Sequence, residues 1–188
     1  MYTLEQVQSI TLGCNKCNLS QTRTKVVFGE GNKNADIMFI GEGPGYNEDI
    51  QGKPFVGAAG QLLDKMLYAI DIKRQDVYIT NIVKCRPPNN RNPLSQETKA
   101  CIEYLRWQVK LVDPKIIICL GAVSAKNIIG SDFKITINRG KWMNVGKYSV
   151  MATYHPAALL RDENKKRPAW EDFKSIKNKY QQIIQIET

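Results

Sequence analysis

The chain is expected to fold as a three-layer α/β/α domain around a central, mainly parallel four-stranded sheet. Two observations predict this class: four short apolar runs bounded by turn residues, and helical apolar spacing in the segments between them. A third fixes its extent. The sequence holds no internal repeat, low-complexity stretch or linker, and 188 residues suit one domain with a full core, so residues 1–188 are read as a single unit.

The strand candidates are Ile37 to Ile40, Val77 to Val83, Lys115 to Leu120 and Tyr148 to Thr153. Their continuous apolar character suits parallel strands covered on both faces. Between them, Gln61 to Ile70 carries Leu62, Met66 and Ile70 at four-residue spacing. Ser95 is placed as the cap of a helix with Ile102, Leu105, Val109 and Val112 on its apolar face, ending before Pro114. A last helix is expected from about Trp170 to Ile184, through Phe173, Ile176 and Tyr180.

Composition narrows the class without deciding it. Hydrophobic residues make up 43% of the chain, and no stretch approaches the ~18 consecutive apolar residues of a membrane span. The start, Met1-Tyr2-Thr3-Leu4-Glu5, lacks the basic and apolar regions of a signal peptide, so a cytoplasmic protein is expected. Lys and Arg number 27 against 18 Asp and Glu, for a formal charge of +9. That excess suits a polyanionic partner but equally a basic, well-solvated surface. A monomer is expected, since no coiled coil or interface stripe appears.

In a doubly wound sheet, ligands bind beyond the carboxyl ends of the strands. The segments there are Gly41-Glu42-Gly43-Pro44-Gly45, Asn81 to Cys85, Gly121-Ala122 and Tyr154-His155-Pro156. Glycines after a strand let backbone approach a ligand, although a plain turn explains them as well. Phe55, in Gly52-Lys53-Pro54-Phe55-Val56-Gly57, either stacks on a base or plugs the core. Asn81 offers a donor and an acceptor from a rigid mount, as base reading requires; a capping role is the plainer reading. His155, the one histidine, is placed to donate to an anionic leaving group or simply to cap a helix. Arg86, Arg91 and Arg161 follow the same edge and suit phosphate contacts, whereas Lys165 to Arg167 reads as a solvated face.

Five cysteines in a reducing compartment call for another role than disulfides. Cys119 sits in an apolar run and reads as a buried structural thiol. Cys14, Cys17, Cys85 and Cys101 remain as four ligands for either zinc or a [4Fe–4S] cluster. Zinc modules usually present two close pairs, so the wide Cys85–Cys101 separation leans toward the cluster.

Together these residues resemble the family 4 uracil-DNA glycosylases, the iron–sulfur members of the uracil-DNA glycosylase superfamily. The likeness runs from Cys14 to Arg161. It covers Gly41-Glu42-Gly43-Pro44-Gly45 with Glu48-Asp49, the Gly52 to Gly57 loop, Thr80-Asn81-Ile82-Val83-Lys84-Cys85-Arg86-Pro87-Pro88, and His155-Pro156-Ala157-Ala158-Leu159-Leu160-Arg161. The resemblance implies a [4Fe–4S] cluster on the four cysteines. It implies Phe55 stacking on an extrahelical uracil, with Asn81 and the backbone around Gly43 reading the base. His155 would stabilise the departing anion, and Glu42, or else Glu48, would position water. Leu159 or Leu160 would wedge into uracil-containing DNA, single- or double-stranded. Three rivals stand beside this reading: a zinc-stapled binding module, a catalytically dead relative, and a glycosylase for hypoxanthine or xanthine.

Overall fold

The structure, a computed structural model, describes residues 2–187. Its strands are β1 (Glu30–Gly31), β2 (Ile37–Gly41), β3 (Tyr78–Asn81), β4 (Ile116–Leu120), β5 (Trp142–Val145) and β6 (Tyr148–Thr153). The α-helices are α1 (Leu4–Leu12), α2 (Leu19–Thr22), α3 (Tyr46–Gln51), α4 (Ala58–Ala69), α5 (Ser95–Val112), α6 (Ala122–Ile128), α7 (Ile135–Asn138), α8 (Pro156–Arg161) and α9 (Lys166–Glu187).

One sheet runs in the order β1-β3-β2-β4-β6-β5. Its centre, β3-β2-β4-β6, is parallel throughout and comprises the four strands expected from sequence. The two edges are additions: β1 and β5 each pair antiparallel with their neighbours, so the sheet is six-stranded and mixed. Both escaped the hydrophobic pattern for a physical reason. β1 has two residues and no apolar side chain, and β5 is half-exposed, so neither shows a buried run.

The central strands divide their side chains between two cores by simple alternation. Met38, Ile40, Tyr78, Ile117, Cys119, Val150 and Ala152 face Leu4 and Val7 of α1 and Tyr104, Leu105 and Val112 of α5. Ile37, Phe39, Ile79, Ile116, Ile118 and Met151 face Leu63 and Leu67 of α4 and Phe173 and Ile176 of α9. Phe39 and Phe173 stack at 6.2 Å between centroids, which seats α9 on the second face. Cys119 is fully buried, as its apolar setting implied.

Helix ends needed correction. Ser95 is the first helical residue of α5 and not its cap; Leu94 takes that position. The Glu97 carboxylate does the capping, accepting from the Leu94 N–H at 2.7 Å while gripping Arg91. The last helix starts at Lys166, four residues before Trp170, and the Ile184 side chain falls outside the described residues.

Four loops leave the carboxyl ends of the central strands on one side of the sheet. The order reverses at β2, because β3 lies on one flank of it and β4 on the other. That crevice is where ligands enter folds of this class. The loop between α3 and α4 is pressed against it by a close helix approach: a Cβ on Gly60 would lie 1.8 Å from the Phe55 carbonyl oxygen. Gly60→Ala is therefore expected to cost about 1–3 kcal/mol, read as a lowered urea midpoint at unchanged m-value. An unshifted midpoint would mean that α4 can slide without loss.

Candidate active site and cysteine centre

At the carboxyl ends lies an open cleft of roughly 510 Å³, within the ~300–1,000 Å³ range of small-molecule sites. Glu42, Gly43, Gly45, Glu48, Phe55, Asn81 and His155 line it, with Arg91, Leu160 and Arg161 at the mouth.

Its floor depends on Gly41. The β2–β3 register sets Gly41 beside Asn81, and a Cβ on Gly41 would stand 2.3 Å from Asn81 Oδ1 and 2.7 Å from Phe55 Cζ. Only a residue without a side chain lets the amide and the ring meet there. Asn81 is 1% exposed, and its Oδ1 is buried without a hydrogen-bond partner. An acceptor left bare in this way costs free energy unless a ligand donates to it.

Phe55 is buried on one side by the core and faces the cleft on the other, so both sequence readings of it describe part of its setting. Its ring centroid lies 5.5 Å from that of His155, with the two planes inclined by 29°. The backbone there is in the left-handed region, φ 52°, which costs a phenylalanine energy and needs outside support. Two side chains supply it. Glu48 Oε1 accepts from the Val56 and Gly57 N–H groups at 2.9 and 2.8 Å. Arg74 donates to the Pro54 and Phe55 carbonyls at 2.6 and 3.2 Å and to Asp64 at 2.8 Å. Arg74 escaped sequence reading because nothing in its own turn points to a loop twenty residues earlier.

His155 follows β6 and caps α8, and its Nδ1 accepts from the Ala157 N–H at 3.1 Å. That bond assigns the neutral ring's remaining hydrogen to Nε2. Burial, reinforced by the charge of Arg161, pulls its pKa down to about 4, with Glu48 opposing. The ring is thus an uncharged donor at neutral pH. Burial pushes Glu42 above the usual carboxylate range, and Arg161 acts against that rise.

At the mouth, the leucines separate. Leu159 is 2% exposed, packed inward from α8, and is not presented to a duplex; Leu160 is 51% exposed. Arg86 donates to Asn90 Oδ1 at 2.7 Å and lies over the Tyr46 ring. Arg91 is bound by Glu97 at 2.7 Å and so offers less free charge than its position in sequence implied. Lys165 and Lys166 pair with Asp162 and Glu163 within their own turns, as a solvated face would.

Away from the cleft, Cys14, Cys17, Cys85 and Cys101 share one small cavity with Arg23, Lys84 and Tyr104. Arg23 Nη1 donates to Cys85 Sγ at 3.2 Å, and the Lys84 N–H to Cys101 Sγ at 3.3 Å. Donors aimed at sulfur suit thiolates that carry charge. Among the described residues no three Cys, His, Asp or Glu converge closely enough for a single ion. Four sulfurs around one cavity, with a guanidinium and a backbone amide donating to two of them, are a donor set that suits a thiolate-held metal centre.

Residues 28–174 match the family described as the uracil DNA glycosylase superfamily. The chain belongs to that superfamily. It is 44% identical over 185 residues to a type-4 uracil-DNA glycosylase of Archaeoglobus fulgidus, covering 94% of this chain and 92% of that one. The type-4 uracil-DNA glycosylase of Sulfurisphaera tokodaii is 49% identical over 187 residues, at 94% and 84% coverage. That of Thermotoga maritima is 42% identical over 186 residues, at 95% and 97%. As a superfamily member the chain is an N-glycosyl hydrolase of DNA repair.

The depressed His155 pKa has a consequence for stability. Between about pH 4 and 6.5 the unfolded chain binds a proton here that the folded chain refuses, so stability rises with pH across that window. The gain from this group is expected to be at most about 3 kcal/mol, and His155→Gln should remove that part of the slope in urea unfolding from pH 4 to 7. The same slope in the variant would assign it to other groups.

Proposed function

We propose that the chain excises uracil from DNA: it flips the nucleotide into the cleft, hydrolyses the N-glycosidic bond and leaves an abasic site. The observation that carries this is the bare, buried Asn81 Oδ1 beside Phe55. Uracil presents a donor at N3 next to an acceptor at O4, the complement of one carboxamide. Cytosine has no hydrogen on N3 and would leave Oδ1 facing a lone pair, which a buried site penalises heavily.

As the bond stretches, negative charge builds on the base and positive charge on the sugar. The Nε2–H of His155 meets the first charge. A neutral imidazole suits the task, because it strengthens its hydrogen bond to a delocalised anion without giving up the proton. A donor fixed in this way typically contributes about 3–4 kcal/mol. Glu42 is assigned to orient the water and offset the sugar's charge. Glu48 is the weaker candidate, since one of its carboxylate oxygens already holds two backbone amides, and its part is to set the Phe55 loop. Phe55 stacks on the base and Gly43 lends backbone. Leu160, not Leu159, fills the gap in the duplex, and Arg86, Arg91 and Arg161 face the phosphates.

Cys14, Cys17, Cys85 and Cys101 hold a [4Fe–4S] cluster in this reading. When bound, it supplies a covalent tie between the N-terminal loop and the segment carrying Arg86. The chain is further read as one domain, acting as a monomer in the cytoplasm. Among the described residues no helix is long and apolar enough to cross a membrane.

Single-turnover cleavage of a labelled U·G duplex tests the assignment. Wild type is expected to cut, His155→Ala to lose roughly two to three orders of magnitude in rate, and Glu42→Gln to lose more than Glu48→Gln at equal stability. Full rates for both His155→Ala and Glu42→Gln would sink the mechanism. A second measurement concerns the base: T in a matched T·G duplex should be cut far more slowly than U, and equal rates would exclude a pocket closed to the methyl group.

A further inference from the structure

At the rim of the cleft, one large side chain is left without a role. Tyr46 follows Gly45, which lines the cleft, and opens α3 with 59% of its surface exposed. The Arg86 guanidinium lies over its ring, with Cζ 5.1 Å from the centroid. Arg86 is itself tied down. Its Nε donates to Asn90 Oδ1 at 2.7 Å, and Asn90 lines the same cleft together with Pro87. Ring and cation thus join the loop after β2 to the loop after β3.

A single exposed aromatic residue is ordinary on a protein surface. This one differs in two respects: it borders the cleft, and a cation is held against it. The turn that holds the cation has a defined shape. Asn89 and Asn90 both take left-handed backbone, at φ 55° and 54°, which asparagine adopts more readily than most residues. The Asn90 N–H closes the turn on the Pro87 carbonyl at 3.1 Å.

The reaction proposed above takes a base out of its stack, and the bases beside it lose a neighbour on that side. An aromatic face stacks on any base, and a guanidinium plane widens the platform while attracting the strand. In a duplex the flanking bases stay paired with the other strand. In a single strand they are free to turn onto the ring.

We propose that Tyr46 and Arg86 form a stacking platform for a base next to the flipped uracil, which favours uracil in unpaired strands. The inference rests on the uracil reading above and adds to it the state of the strand. Arg86 keeps its phosphate role, because Asn90 engages Nε while the two Nη groups are the ones that turn to a phosphate.

The test measures kcat and KM for wild type, Tyr46→Ala, Tyr46→Phe and Tyr68→Ala. The last removes an exposed tyrosine of α4 that does not line the cleft, and serves as a control. Three substrates are compared: a single strand with one uracil, its U·G duplex, and the same single strand with baseless tetrahydrofuran residues on both sides of the uracil nucleotide. Tyr46→Ala is expected to raise KM on the ordinary single strand about tenfold, with a smaller change in kcat and a smaller rise on the duplex. Tyr46→Phe keeps the ring and should keep a low KM, as should Tyr68→Ala. On the strand with baseless flanks, wild type and Tyr46→Ala should converge, since no neighbouring base remains to stack. Equal KM values for wild type and Tyr46→Ala on the ordinary single strand overturn the platform. An equal rise on all three substrates overturns it too, because a displaced loop would act without regard to the flanking bases. A wild type that cuts none of the three overturns the uracil reading and this inference with it.

Discussion

The parallel pairing of residues 37–41 with 78–81 is the constraint on which the cleft rests. It sets Gly41 beside Asn81 at the same height in the sheet, so the missing side chain of one residue becomes the space occupied by the amide of the other. A shift of one residue would exchange the two faces of β3. It would turn Asn81 into the core and leave Thr80 at the floor. Apolar alternation on two covered faces forbids that shift, so the packing of Ile37, Phe39 and Ile79 fixes a polar group at the far end of the strand.

Around that floor, electrostatics follow from how little water reaches each group. His155 and Glu42 lie near each other along one cleft, yet burial drives them in opposite senses of protonation. The imidazole loses its proton more easily, and the carboxyl holds its proton longer. Arg161 favours the uncharged ring and the charged carboxylate together, so one exposed guanidinium biases both groups. The strained backbone at Phe55 belongs to the same economy of position. Glu48 and Arg74 approach it from different elements, and together they hold the Phe55 ring in the cleft wall at φ 52°.

The central strands and long helices were legible because their residues meet two uniform environments, and period 2 or 3.6 records that directly. Tyr148–Thr153 was bounded to the residue, while Tyr78–Asn81 was read too long. Ile82 and Val83 are apolar and still bond back to Gly41 and Glu42 after the strand has ended. Edge strands left no such record. At the site, sequence motifs located Glu42, Asn81 and His155, but not the groups that hold them. Arg74 and Gly60 lie outside every motif, and Gly41 and Lys84, though inside them, make contacts that no motif describes. No local pattern encodes a contact between residues 84 and 108. The leucine pair shows the same limit: adjacent residues on a short helix point to opposite sides, and only packing says which one faces solvent.

The two edge strands missed in sequence have a bearing on solubility. A parallel sheet assembled from distant segments exposes unpaired strand borders while it folds, and those borders can recruit other chains. Here one border ends in a two-residue strand too short to template a ladder. The other closes on a hairpin that carries Lys141 before it and Lys147 in its turn. The pieces that contribute least to the catalytic core therefore act as its selvage, keeping a sticky centre from being extended by a neighbour.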